Sequence, residues 1–141
     1  MKIKSLTIYC SSSQKIEKKF YKMATEIAEI IAKYKIKVIY GGGNLGLMGE
    51  IARTLIKLKT EVIGIIPKFL IKHEKANIKI THLKIVPNMS ERKENLYKLG
   101  DAFLILPGGT GTLEEVIEVL SWKNLKLHNK PIIFFNFDNY W

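Results

Sequence analysis

Only one cysteine, Cys10, occurs in the 141 residues, so no internal disulfide can form. That usage favours a reducing setting, the cytoplasm, and Cys10 itself reads as a small residue at a strand end. No apolar run approaches the ~18 residues of a membrane span. The opening stretch Met1–Tyr9 lacks the apolar core of a signal peptide. Metal-ligand spacing is missing too: His82 and His128 stand near no second His, Cys or Asp in a chelating pattern, and no metal is expected. Neither G-x-x-x-x-G-K-[ST] nor G-x-G-x-x-G with a following acidic hook is present, which excludes an NTP P-loop and disfavours a dinucleotide site.

Arginine is almost absent. Arg53 and Arg92 stand against 21 lysines in a chain of net charge +10. The lysines are scattered and not interleaved with aromatics, so nucleic acid is not the expected partner. A Lys- and Ile-rich composition is what an AT-rich genome produces, and the charge also helps attract anionic substrates. Against that background an arginine marks a need for a planar, two-pronged donor.

What is present is a regular alternation. Apolar strands at 3–9, 37–40, 62–66, 81–86, 102–106 and 132–135 alternate with amphipathic or glycine-led helices. The helices are expected at 15–34, 45–58, 90–99 and 112–127, with a polar loop at 68–78. Near-continuous apolar strands separated by helices predict a Rossmann-like α/β domain, a doubly wound parallel sheet with helices on both faces. Length allows one domain, 1–141.

Two strand–glycine–helix junctions punctuate this pattern. Gly41-Gly42-Gly43-Asn44-Leu45-Gly46-Leu47-Met48-Gly49 follows the second strand, and Pro107-Gly108-Gly109-Thr110-Gly111-Thr112-Leu113-Glu114-Glu115 follows the fifth. Both predict backbone N–H groups free at a helix start, suited to a phosphate held between them. Thr112 with Glu115 also fits a capping box, with Thr112 as N-cap. Glu115, placed near a helix start, is expected to stay ionised. Ser90-Glu91-Arg92-Lys93 puts two cations in a first helical turn, where the dipole disfavours them, so an anion is expected there. Glu91 and Glu94 are alternative partners. Glu74 reads as a solvated loop carboxylate, and Ser11–Ser13 as either ligand donors or caps of the next helix.

Together these motifs resemble the LONELY GUY family, the cytokinin riboside 5′-monophosphate phosphoribohydrolases formerly labelled lysine decarboxylases. The resemblance rests on Gly41-Gly42-Gly43 with Gly46-Leu47-Met48-Gly49, Met89 with Arg92-Lys93, Pro107-Gly108-Gly109-x-Gly111-Thr112-x-x-Glu115, and Trp122 with His128-x-Lys130-Pro131. It departs at Ser90, where a histidine is usual, and at Thr110, where an aromatic is frequent. Members usually continue some tens of residues past the position of Trp141.

The resemblance implies a hydrolase that splits the N-glycosidic bond of a nucleoside 5′-monophosphate such as AMP, with no cofactor. It implies Arg92 and Glu115 as the catalytic pair. Substrate-binding positions would be Glu74, Arg92, Lys93, Gly108, Gly109, Thr110, Gly111, Thr112, Leu113, Glu114, Gly42, Gly43 and Met89. A homodimer is expected, both from the family and from Phe134, Phe135, Phe137, Tyr140 and Trp141, an apolar group that monomers rarely expose. The rival reading is a non-catalytic, carrier-type nucleotide or cofactor module.

Overall fold

A computed structural model describes residues 2–141. Six strands, β1 (Ser5–Tyr9), β2 (Lys37–Tyr40), β3 (Val62–Pro67), β4 (His82–Val86), β5 (Ala102–Ile105) and β6 (Ile132–Phe134), form one sheet in the order β4-β3-β2-β1-β5-β6. Every pairing is parallel. Four helices connect them: α1 (Lys18–Lys33), α2 (Gly46–Lys57), α3 (Met89–Leu99) and α4 (Thr110–Asn124).

Side chains alternate across each central strand, and the two sets build separate cores. Leu6, Ile8, Cys10, Val38 and Tyr40 face α1 and α2, meeting Met23, Ile27, Leu47, Ile51 and Leu55. Tyr9, Ile39, Phe103 and Ile105 face the other way, onto Leu96 of α3 and Val116 and Val119 of α4. The central strands are apolar on both faces because both faces are covered, whereas the edge strands β4 and β6 are largely exposed. Among the described residues no helix is long and apolar enough to cross a membrane.

The chain winds outward from β1 through β2, β3 and β4, then α3 carries it back past β1 to β5. Strand order therefore reverses between β1 and β5, which pair from Leu6 with Ala102 to Tyr9 with Ile105. The loops at their carboxyl ends diverge there and leave a crevice, where ligands of such sheets bind.

Three helix boundaries differ from the periodicity: α1 begins at Lys18 instead of 15, and both ends of α4 move. α4 begins at Thr110 with Gly109 as N-cap, and no side chain caps it. Thr112 is thus a buried residue of the first turn, and the expected capping box does not form. At its other end α4 stops at Asn124 because Lys126 turns left-handed (φ 61°) and the chain closes with Leu127 N–H donating to Trp122 O. Lys35 and Lys59 end α1 and α2 the same way. Glycine normally marks that position, so lysine there hides the stop from any sequence pattern.

Candidate active site

The crevice holds a cavity of about 330 Å³. Its walls are the end of β1 and the following serines, Tyr9 to Ser13; Gly41 after β2; Leu70 and Glu74 from the 68–78 loop; and Met89 and Arg92 of α3. Gly109, Thr110, Gly111, Thr112, Glu114 and Glu115 at the start of α4 complete it.

Arg92 is the best-held side chain in this cavity. It is 5% exposed, and its fork is spent on the protein. Nε donates to Ile65 O at 3.1 Å, and Nη2 donates to Gly41 O at 2.7 Å and to Glu74 Oε2 at 2.8 Å. Nη1 reaches Glu74 Oε1 at 3.4 Å. A lysine has neither the reach nor the geometry to hold two carbonyls and a carboxylate together. Glu74 is consequently no solvated loop residue: its side chain is 12% exposed and fixed against Arg92. Its own backbone is anchored by Glu74 N–H donating to Leu70 O and by Asn44 N–H donating to Glu74 O.

Lys93 points elsewhere. Its ammonium bridges Glu114 at 2.5 Å and Glu118 at 2.8 Å, tying α3 to α4 at the rim, and the two hydrogen bonds raise its pKa. The anions expected by the two cations of the first α3 turn are therefore carboxylates of this same chain. Asn88 caps α3, its side chain accepting from Glu91 N–H.

Glu115, from α4, lines the same cavity as Glu74. Burial pushes its carboxyl up to about 7; Arg92 opposes the shift, Glu114 and Glu74 add to it, and Lys93 opposes it. Partial burial in the cavity wall thus outweighs the favourable helix start and brings a carboxylate expected to stay ionised toward titration near neutrality. No hydrogen bond or ion pair involves this carboxylate among the described residues. It is a carboxylic acid poised to exchange a proton near neutrality.

The two glycine junctions separate here. At the second, a Cβ added to Gly109 or Gly111 would meet nothing within 4 Å. The first helix bond of α4 is Leu113 N–H to Gly109 O. The N–H groups of Gly109, Thr110, Gly111 and Thr112 thus have no acceptor among the described residues and stand at the cavity. At the first junction the N–H groups of Leu47 and Met48 both donate to Ser11 O, at 2.9 and 3.3 Å. Gly46 is left-handed (φ 58°), and a Cβ there would lie 2.6 Å from the backbone of Ser12 and Ser13. Gly42 (φ 79°) packs on Ile66 and Leu83, and Gly43 on Met48 and Glu74.

Of the sequence candidates, Arg92, Glu115, Glu74, Met89, Glu114, Gly109, Thr110, Gly111 and Thr112 line the cavity. Gly42, Gly43, Lys93, Gly108 and Leu113 do not. Tyr9 and Cys10 line it without having been singled out as ligand-facing. Burial raises the pKa of both, with Glu115 adding to each. Their place at the carboxyl end of the strand beside the switch point was the available signal. Ser11–Ser13 also belong to the wall. They do not cap α1, whose N-cap is Glu17; Ser11 Oγ instead accepts from Ser13 N–H.

Comparison with known proteins fits this geometry. The family model described as "possible lysine decarboxylase" matches residues 48–141. A cytokinin riboside 5′-monophosphate phosphoribohydrolase of Rhodococcoides fascians is 40% identical over 139 residues, covering 98% of this chain and 70% of the relative. One from Arabidopsis thaliana is 36% identical over 140 residues, covering 99% of this chain and 65% of the relative. Among solved structures, the molybdenum cofactor carrier protein of Chlamydomonas reinhardtii superposes with a TM-score of 0.75 at 19% identity, over 92% of this chain and 74% of its own. The molybdenum cofactor binding protein of Rippkaea orientalis gives 0.71 at 23%, over 95% and 77%. Those two establish the fold alone. The sequence relatives and the family match establish that this chain belongs to the LONELY GUY family, that of the cytokinin riboside 5′-monophosphate phosphoribohydrolases.

Proposed function

We propose that this chain hydrolyses the N-glycosidic bond of nucleoside 5′-monophosphates, AMP among them, to free base and ribose 5-phosphate. One arrangement carries the reading: the Glu115 carboxyl, which burial pushes up to about 7, shares a cavity with four N–H groups at a helix start that have no acceptor among the described residues. Those N–H groups and the α4 dipole take the 5′-phosphate. Glu74, held by Arg92, faces the ribose and accepts from its hydroxyls. The C1′–N bond breaks with positive charge developing on the sugar, which the ionised Glu115 stabilises. Water then bonds to C1′ and gives one proton to Glu115; that proton passes on to the nitrogen of the departing base, so the base leaves with one proton more and Glu115 is ionised again.

Arg92 contributes chiefly through Glu74 and through its positive charge, because its donors are already spent. Lys93 holds Glu114 at the rim. Decarboxylation through a lysine Schiff base finds no support, since no lysine lines the cavity.

The outer face of α4 supports a homodimer. Leu113, Ile117 and Leu120 are exposed along it, beside a shallow groove bounded by Trp122. The lone, buried Cys10 accords with a cytoplasmic setting.

Incubation with a panel of nucleoside 5′-monophosphates, followed by product chromatography, tests the reaction. Equimolar base and ribose 5-phosphate are expected. Stoichiometric nucleotide binding without base release would favour the carrier-type module instead.

A further inference from the structure

The phosphate turn has a back as well as a front, and the back is held by one hydroxyl. Behind Pro107 runs a smaller groove of about 240 Å³, lined by Phe20, Leu47 and Tyr140 among others. From it Tyr140 O–H donates to Gly108 O at 2.7 Å. No other hydrogen bond to that carbonyl is made by the described residues.

Gly108 C=O and Gly109 N–H belong to one trans peptide unit, so they point in opposite directions. Fixing the oxygen toward Tyr140 aims the Gly109 N–H at the cavity in front. A peptide unit between two glycines otherwise rotates at little steric cost. We infer that Tyr140 is a positioning residue for phosphate recognition, acting through the Gly108–Gly109 peptide. The inference rests on the phosphate assignment made above for this turn.

The segment 136–141 is shaped to deliver that hydroxyl. Asp138 and Asn139 are both left-handed, with φ of 54° and 55°, which turns the chain back onto the domain. Lys19 fixes Asp138 at 2.6 Å, and Trp141 N–H donates to Asn136 Oδ1 at 2.8 Å. The Tyr140 ring meets Phe20 edge-on at 5.8 Å and Trp141 at 5.1 Å. Two consecutive non-glycine residues in that conformation are costly, and sites tend to retain such strain where a group must be aimed.

Tyr140→Phe keeps the ring and its packing and removes only the hydroxyl. Titration with inorganic phosphate, followed at the Gly109 and Gly111 amide resonances, should show affinity falling about three- to tenfold, the worth of one oriented hydrogen bond. KM for the nucleotide should rise by the same factor with kcat nearly unchanged, and affinity for the matching nucleoside, which lacks the phosphate, should not move. Unchanged phosphate affinity in the variant overturns the inference, and so does equal weakening toward nucleoside and nucleotide. Phosphate binding at this turn without base release would remove the hydrolase reading and leave this one standing.

Discussion

The two glycine junctions look alike in sequence and do opposite things. At 41–49 the glycines let backbones touch, and Ser11 O takes up the N–H groups of Leu47 and Met48. At 108–112 nothing crowds Gly109 or Gly111, and the N–H groups beside them stay free. One junction is a joint that locks the β1 loop to α2; the other is the proposed anion site. Glycine content therefore does not identify a phosphate turn; the fate of its N–H groups does.

The largest expected effect belongs to the residue beside the open junction. Glu115→Gln should cut base release by about 10²–10⁴-fold while leaving nucleotide affinity within about twofold. Turnover near normal would reduce Glu115 to a wall residue. Next comes Arg92→Lys, for which steady-state kinetics should show a loss of about 10²-fold despite the retained charge, because one ammonium cannot replace the fork on Glu74, Gly41 and Ile65. Wild-type kinetics would mean that the pairing with Glu74 is dispensable.

A matched pair of alanines separates the junctions directly. Gly46→Ala must push a Cβ into the Ser12–Ser13 backbone at a left-handed position, and denaturant unfolding should register a loss of roughly 3 kcal/mol or more. Gly111→Ala meets open space inside a helix, so stability should hold or rise by about 0.5–1 kcal/mol while phosphate affinity falls. Reversal of these two outcomes would exchange the roles of the junctions.

Glu115 also couples stability to pH. Its folded pKa, raised to about 7, exceeds the unfolded value of 4.5, so the native state binds more protons between those values. Its contribution is fully present below pH ~4.5 and is lost as pH rises through ~7, by about 3 kcal/mol at most. The Tm difference favouring Glu115→Gln over wild type should accordingly open across that window and then level off. A difference independent of pH would show that Glu115 is not shifted.

Smallest of all, Lys35→Gly should stabilise by about 0.5–1 kcal/mol in chemical denaturation, relieving a left-handed lysine far from both junctions. No change would mean that Lys35 tolerates φ 53° without strain.

Much of this was readable from residues alone. Strand and helix order followed from periodicity, and the rarity of arginine singled out Arg92 before its partner was visible. What stayed hidden depends on groups distant in sequence or on solvent. Ser11 O, which occupies the N–H groups of α2, is a backbone atom of another loop and leaves no mark near Gly46. The partner of Arg92 is 18 residues away in a polar loop with no regular pattern. The Glu115 pKa is set by burial, and Thr112 resembles a cap only until its side chain is seen packed against Gly108.

A crystal structure of Glu115→Gln with AMP tests the central claim most directly. The account predicts phosphate oxygens within about 2.7–3.2 Å of the backbone nitrogens of 109–112, with the ribose between Gln at position 115 and Glu74. A phosphate seated instead at the N-terminus of α2, displacing Ser11 O from Leu47 and Met48, would contradict it.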